Sequence, residues 1–384
     1  MKRYMLLICA VLWMSADGYA VDLDDYLQKF QIHGFISQGY LKSDKNDFYF
    51  AETEDGTFHY NETGINFATQ VTDQIRMGIQ FLSRDLGRIG NNDIEIDWAF
   101  ADYRYRNWLG LRVGKIKKPF GLYNRVRDID SARTFVMLPT MIYDEVPRET
   151  YSTTTGIGIY GYLPYGFYYE FQYGMVDIDK EGGTAKNVSW FTGLQVIDID
   201  GEDTSTTYLE WETPLQGLKF AGTVFFFPDT TYYTPIGELF SETINYVVSA
   251  EYTYDRLVLA SEYRLMDFDL NLTLNDTTLV DQTLEACYIS ASYQFTDRFT
   301  LGAYYGELYT DKDDRDGDRY KAANLPSGLA WRKDLALTTK FDINDYWTIK
   351  LEAHLMDGLA QVTTPAAEAE DNWSLFAAKM TFSF

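Results

Sequence analysis

At 384 residues the chain has room for one large all-β domain or two medium ones, and its net charge of −24 excludes a nucleic-acid duplex as partner, which it would repel. Aromatic side chains make up 17% of it and charged ones 23%, while mean hydropathy is negative (−0.28). A soluble core accommodates that mixture poorly, whereas an aromatic lipid-facing band around a polar interior accommodates it well. Its two cysteines, Cys9 and Cys287, exclude a disulfide-stapled scaffold.

The chain opens with Lys2 and Arg3, an apolar run from Tyr4 to Met14, and Gly18-Tyr19-Ala20. A positive start, a short apolar run and a small-x-small ending predict a secretory signal peptide over 1–20, cleaved before Val21. Residues 21–31 read as a short periplasmic lead-in and 32–384 as the working domain. No later segment approaches the roughly 20 apolar residues that a membrane-spanning helix requires.

From there the period is two. Ile75, Met77, Ile79 and Phe81 alternate with Arg76, Gly78, Gln80 and Leu82; Ile94, Ile96, Trp98 and Phe100 alternate with Glu95, Asp97, Ala99 and Ala101. Near the end Trp347, Ile349, Leu351 and Leu355 oppose Thr348, Lys350, Glu352 and His354. Each run predicts a strand with one apolar face.

Tight turn signals fall at 72–74, 106–107, 164–166, 214–217, 254–255, 296–298 and 344–345. Between them lie longer polar stretches at 43–60, 86–93, 118–153, 176–204, 228–241, 267–282, 309–330 and 358–371. Seven short connections alternate with eight long ones, which predicts sixteen strands with both termini on the short-turn side. That is the layout of an all-β, antiparallel up-and-down barrel of the outer membrane, with short periplasmic turns and long outer loops. A barrel of this width is too wide for side chains alone to fill, so an aqueous channel is expected.

The third long loop, 118–153, is the candidate constriction, and its surroundings are basic within an acidic chain. Arg112, Lys115, Lys117, Lys118, Arg125, Arg127 and Arg133 cluster there, and Arg76 and Arg84 join them from the neighbouring strand. Arg104 and Arg106 fall at the periplasmic turn. Clustered Arg and Lys favour anions in a pore. The competing reading pairs these cations with lumenal Glu95 and Asp97 and with loop carboxylates, which would fix the loop. Alternation points Arg112 inward and gives Lys115 and Lys117 the opposite parity unless Gly114 marks a bulge. Glu251, Glu262 and Glu352 add lumenal acid.

The run Leu111-Arg-Val-Gly-Lys-Ile-Lys-Lys-Pro-Phe-Gly121 resembles the strand-to-loop passage of Gram-negative outer-membrane porins related to the phosphate-selective O/P-type group. The resemblance implies a sixteen-stranded porin whose third outer loop folds into the barrel, and homotrimers are common in that class. It departs from the phosphate-selective pattern in its abundant lumenal acid. Met380, Phe382 and Phe384 share a face at the end of the chain and resemble the signal, here Phe382 and Phe384, by which the barrel-assembly machinery recognises its clients.

The expected function is therefore passive diffusion of small hydrophilic solutes through a porin, with an anion-favouring eyelet. The alternatives are a channel specific for an anionic nutrient (phosphate, a dicarboxylate or an acidic sugar) and a structural or adhesive barrel acting through its outer loops. The expected surroundings are a lipid bilayer and lipopolysaccharide. No cofactor and no metal are expected: in the acidic run 311–318, Lys312 stands where a calcium loop needs its first acidic ligand and Ala323 where it needs the bidentate Glu. Catalysis is not expected, because His33, His59 and His354 form no local nucleophile arrangement.

Overall fold

The computed structural model describes residues 30–48, 50–201, 203–273 and 277–384; the signal peptide expected over 1–20 and most of the expected lead-in lie outside the described residues. The alternating runs form β1 (Phe30–Ser43), β2 (Asn61–Gln70), β3 (Ile75–Asp85), β4 (Glu95–Arg106), β5 (Leu109–Lys117), β6 (Thr153–Leu163), β7 (Phe167–Met175), β8 (Asp198–Gly201) and β9 (Asp203–Glu212). They continue as β10 (Leu218–Thr234), β11 (Gly237–Tyr254), β12 (Leu257–Leu272), β13 (Thr277–Thr296), β14 (Phe299–Tyr309), β15 (Trp331–Asp342), β16 (Trp347–Asp357) and β17 (Asn372–Ser383). Neighbours are antiparallel throughout, and β1 pairs with β17 from Phe35↔Ser383 to Ser43↔Leu375, which closes the sheet. β8 and β9 both lie along β10 and occupy one place in the wall, so seventeen segments make a sixteen-stranded barrel. Closure gives each of the sixteen places in the wall a neighbour on both sides, the condition for a β-structure to sit in lipid.

The seven tight turns fall where their Asp, Asn, Gly and Pro signals stand. Two of the expected long loops are instead strand. The stretch 228–241 is taken up by β10 and β11, joined across Pro235 and Ile236, and 267–282 by the ends of β12 and β13. Their Thr- and Asp-rich composition reads as loop, yet alternate residues Tyr232, Leu239, Leu270 and Val280 are buried. They pack with Ala185, Val188 and Val196, carried by and beside the helix Gly183–Thr192 of the fourth loop. An apolar partner outside the wall is what keeps these strands paired so far.

One bulge changes which residues face the lumen. In the β3–β4 ladder Phe81 pairs with Ile96 but Gln80 pairs with Trp98, leaving Asp97 as the extra residue. Ile96 points outward, whereas Asp97, Trp98 and Phe100 lie on the lumenal side with Gln80. A Cβ on Gly78, the next lumenal position of β3, would lie 2.9 Å from the Trp98 ring. The uninterrupted alternation expected for Trp98 and Phe100 is thus corrected: past the bulge the outward residues are Ala99, Ala101 and Tyr103. No such shift occurs at Gly114, so Lys115 keeps the outward parity of Leu111 and Val113.

Outside the barrel, the outer half of the wall exposes Tyr173, Tyr246, Tyr263, Tyr305 and Phe376. From β2 to β6 that half carries Thr63, Ile65, Ser83, Ala99, Val113 and Thr155 instead, with Phe81 the one aromatic among the described residues.

Candidate functional site

The loop after β5 turns inward at Pro119-Phe120-Gly121. Gly121 has φ +57°, and a Cβ there would lie 2.5 Å from the Tyr143 hydroxyl and 2.6 Å from a Glu262 oxygen, so glycine is required on both counts. Phe120 is buried with Tyr151 and Phe225. The arms of the loop are tied at its base: Lys118 donates from its backbone to Ser152 (2.9 Å) and from Nζ to the Thr150 carbonyl (2.7 Å). Asn124 donates to the carbonyls of Lys118 (3.0 Å) and Tyr151 (2.8 Å).

Two wall carboxylates then hold the loop inside the barrel. Glu262 of β12 accepts the Leu122 N–H (2.9 Å) and the hydroxyls of Tyr143 (2.5 Å), Ser249 (2.6 Å) and Tyr288 (2.8 Å). Glu352 of β16 accepts the N–H groups of Val136 (2.9 Å) and Met137 (3.0 Å), and His354, 3.1 Å away, stands between it and Asp334. Apolar contact does the rest. Phe135, Leu138, Met141 and Ile142 pack with Tyr288, Tyr304 and Leu308 of the wall, while Val136 and Met137 pack with Met356, Trp373 and Leu375.

The charged side chains form two groups. In the first, Lys117 and Arg148 both contact the Asp128 carboxylate; Lys117 also lies 3.5 Å from Asp97, and Arg148 lies 3.3 Å from Glu62 and 3.6 Å from Glu145. Glu145 also takes Arg127 at 2.8 Å and Arg84 at 3.3 Å. Nearby, Asp130 gathers Arg133 (3.2 Å) and Lys350 (3.0 Å), and Lys379 reaches Glu62 at 2.8 Å. Burial disfavours ionising the loop carboxyls, but the cations win: Lys117 and Arg148 hold Asp128 well below the usual range, and Arg127, Arg148 and Arg84 hold Glu145 at about 2. The Asp144 carboxyl, which forms no ion pair among the described residues, is pushed by burial up to about 7. Lys118 is buried with no carboxylate partner among the described residues, and burial carries its ammonium well below the ordinary lysine value.

The second group lines the wall from β4 to β9. Arg112 of β5 binds Asp102 at 2.8 Å and lies 3.5 Å from Glu170; Arg125 of the loop binds Glu170 at 2.8 Å. The Arg112 guanidinium lies over the rings of Tyr160 (4.7 Å) and Phe100 (5.4 Å), and that of Arg125 over Tyr208 (4.8 Å) and Tyr168 (5.2 Å). Each of those tyrosines donates to an acid at 2.6 Å: Tyr160 to Asp102, Tyr168 to Glu170 and Tyr208 to Glu210.

Of the residues singled out from sequence, Arg84, Lys117 and Arg127 meet in the first group with Asp97, and Arg112 and Arg125 meet in the second. Arg133 sits with Asp130, and Lys118 serves the loop base. Lys115 lies on the outward face. Arg76 is exposed near the periplasmic turn and Glu95 at the outer end of β4, and neither forms an ion pair among the described residues. Phe382 and Phe384 lie on the lipid side, ring centroids 6.1 Å apart, and Phe382 is 5.1 Å from Trp347. Sequence reasoning missed Arg148, Glu62, Glu145 and Glu170 and the three tyrosines. Strand parity could have found Glu62 and Glu170, but Arg148 and Glu145 lie in aperiodic loop and carried no signal.

No protein-family model and no curated protein sequence matches the chain. Solved structures do. OmpF of Salmonella typhi, solved with daunomycin, superposes with a TM-score of 0.62 at 13% identity, covering 92% of this chain and 97% of that one. The outer-membrane channel DcaP of Acinetobacter baumannii gives 0.59 at 12% identity, with the same coverages. An anion-selective porin of Comamonas acidovorans gives 0.57 at 10% identity, covering 92% and 99%. At these identities the likeness is one of fold: the chain is a closed sixteen-stranded barrel with the fold of these outer-membrane porins and channels.

Proposed function

We propose that the chain is a porin of the Gram-negative outer membrane, exported by its leader at 1–20, that passes small hydrophilic solutes by diffusion with weak charge preference. The observation that carries this is the third loop, drawn into the lumen of a sixteen-stranded wall and fixed by carboxylates on β12 and β16. The weak preference follows from pairing. Arg84, Arg112, Lys117, Arg125, Arg127 and Arg133 each have a carboxylate within 4 Å, so little uncompensated positive charge is left to draw anions through. Homotrimers are part of the same reading, through the β2–β6 face where the outer aromatics thin out.

Planar-bilayer recording of the refolded chain under a salt gradient tests both parts. Stable, large steps with a reversal potential near zero are expected. A strongly anion-directed potential would restore the basic eyelet, and a folded chain without conductance would remove the channel and shift attention to the outer loops.

A further inference from the structure

The bulge at Asp97 gives the lumen something a water-filled barrel does not need. Lumenal faces of such barrels are polar. Here Trp98 and Phe100, only half-buried, stand on that face with ring centroids 5.4 Å apart. They open a continuous track of flat groups across five strands. Phe100 is followed by the Arg112 guanidinium, then Tyr160, Tyr168 (6.4 Å from Tyr160) and Tyr208 (6.2 Å from Tyr168), with Arg125 laid over the last two. The tyrosine rings are buried beneath the arginines, but the arginine side chains keep 22% (Arg112) and 37% (Arg125) of their surface open.

Charge decides what such a surface can hold. The two guanidiniums are matched by Asp102 and Glu170, with Glu210 beside them, so an anionic solute would have to displace a carboxylate at 2.8 Å and a cation would have to displace an arginine. A neutral ligand displaces neither. Paired ions still have bonding capacity, since a carboxylate offers about four lone-pair positions and a guanidinium five N–H donors. Hydroxyl groups can use both, while the half-buried rings of Trp98 and Phe100 take an apolar face. A molecule with hydroxyls around its edge and C–H groups on its faces meets every one of these demands.

We infer that the lumenal track from Trp98 to Arg125 is a binding subsite for neutral carbohydrate. It rests on the channel reading only in that the solute must reach the lumen. The test titrates the refolded full chain in detergent with maltotriose and follows tryptophan fluorescence, in the wild type and in Trp98→Phe, with sodium glucuronate and a polyethylene glycol of similar size as comparators. A saturable change in the wild type, lost in Trp98→Phe and absent with both comparators, is expected. In bilayers, maltotriose should block the current saturably, and Trp98→Ala should weaken that block about tenfold. No saturable change in the wild type, a change that survives Trp98→Phe, or tighter binding of glucuronate than of maltotriose would each overturn the inference. Binding without conductance would keep this site and sink the channel, while conductance without binding would do the reverse.

Discussion

Arg148 is buried and faces three carboxylates, those of Asp128, Glu62 and Glu145, so removing it strands charge where water is scarce. Breaking a buried ion pair by deleting one partner costs about 3–5 kcal/mol. The loop can answer by leaving the wall, because the barrel ladder does not depend on it. Arg148→Met is therefore expected to leave the β-sheet circular dichroism intact while making single-channel steps larger and noisier; unchanged steps would mean that Arg148 does not hold the constriction. Asp144 gives the opposite electrostatic case. Burial raises its carboxyl to about 7, against the Val146 N–H, which favours the ionised form. An unfolded aspartate titrates near 3.9, so the folded state gains from the protonated form. That contribution is complete below about pH 4 and is lost as pH rises through 7. The midpoint of heat denaturation should fall from pH 5.5 to 8.5 in the wild type and fall less in Asp144→Asn; equal falls would take Asp144 out of the account. Neither residue was legible in the sequence, since each depends on how an aperiodic loop folds back on a wall built from remote strands.

The elements were far easier to read, and the exceptions have local causes. Period-two alternation and turn residues placed the strand positions, and the length of 118–153 singled out the loop that enters the lumen. The hairpins over 228–241 and 267–282 escaped because composition alone makes Thr- and Asp-rich segments look like loop. Their stability comes from a helix in another loop, through Val188 against Tyr232, Leu239 and Leu270. Replacing that buried valine by aspartate is expected to loosen the hairpin ends, read as new protease cleavage between 228 and 282 on intact cells, with the barrel still folded. Resistance equal to that of the wild type would mean that the strands hold themselves. The β4 bulge escaped because a single inserted residue inverts every later side chain without altering the composition of the strand. It moves Trp98 and Phe100 from lipid to lumen, and the proposed sugar track exists only because of that inversion.

At the scale of the whole molecule, the outward surface is uneven in a way that bears on assembly. Aromatic side chains favour the membrane interface, where one end is wet and the other apolar. The wall carries them in its outer half at Tyr173, Tyr246, Tyr263, Tyr305 and Phe376, but between β2 and β6 it offers Thr63, Ser83, Ala99, Val113 and Thr155. Small side chains allow close approach of a second wall. A face suited to another copy of the chain has less need of an interfacial girdle than one bathed in lipid. Beyond the proposed leader the sequence contains one cysteine, Cys287, so the idea can be tested cleanly by crosslinking. In a Cys287→Ser background, Ala101→Cys lies on the β2–β6 face, and Leu335→Cys lies on β15 with the native leucine about half exposed. Treatment of outer membranes with a short bis-maleimide should join Ala101→Cys chains into dimers and leave Leu335→Cys chains single. Crosslinking at Leu335→Cys alone would move the contact to the aromatic side of the barrel, and crosslinking at neither would leave each barrel to conduct by itself.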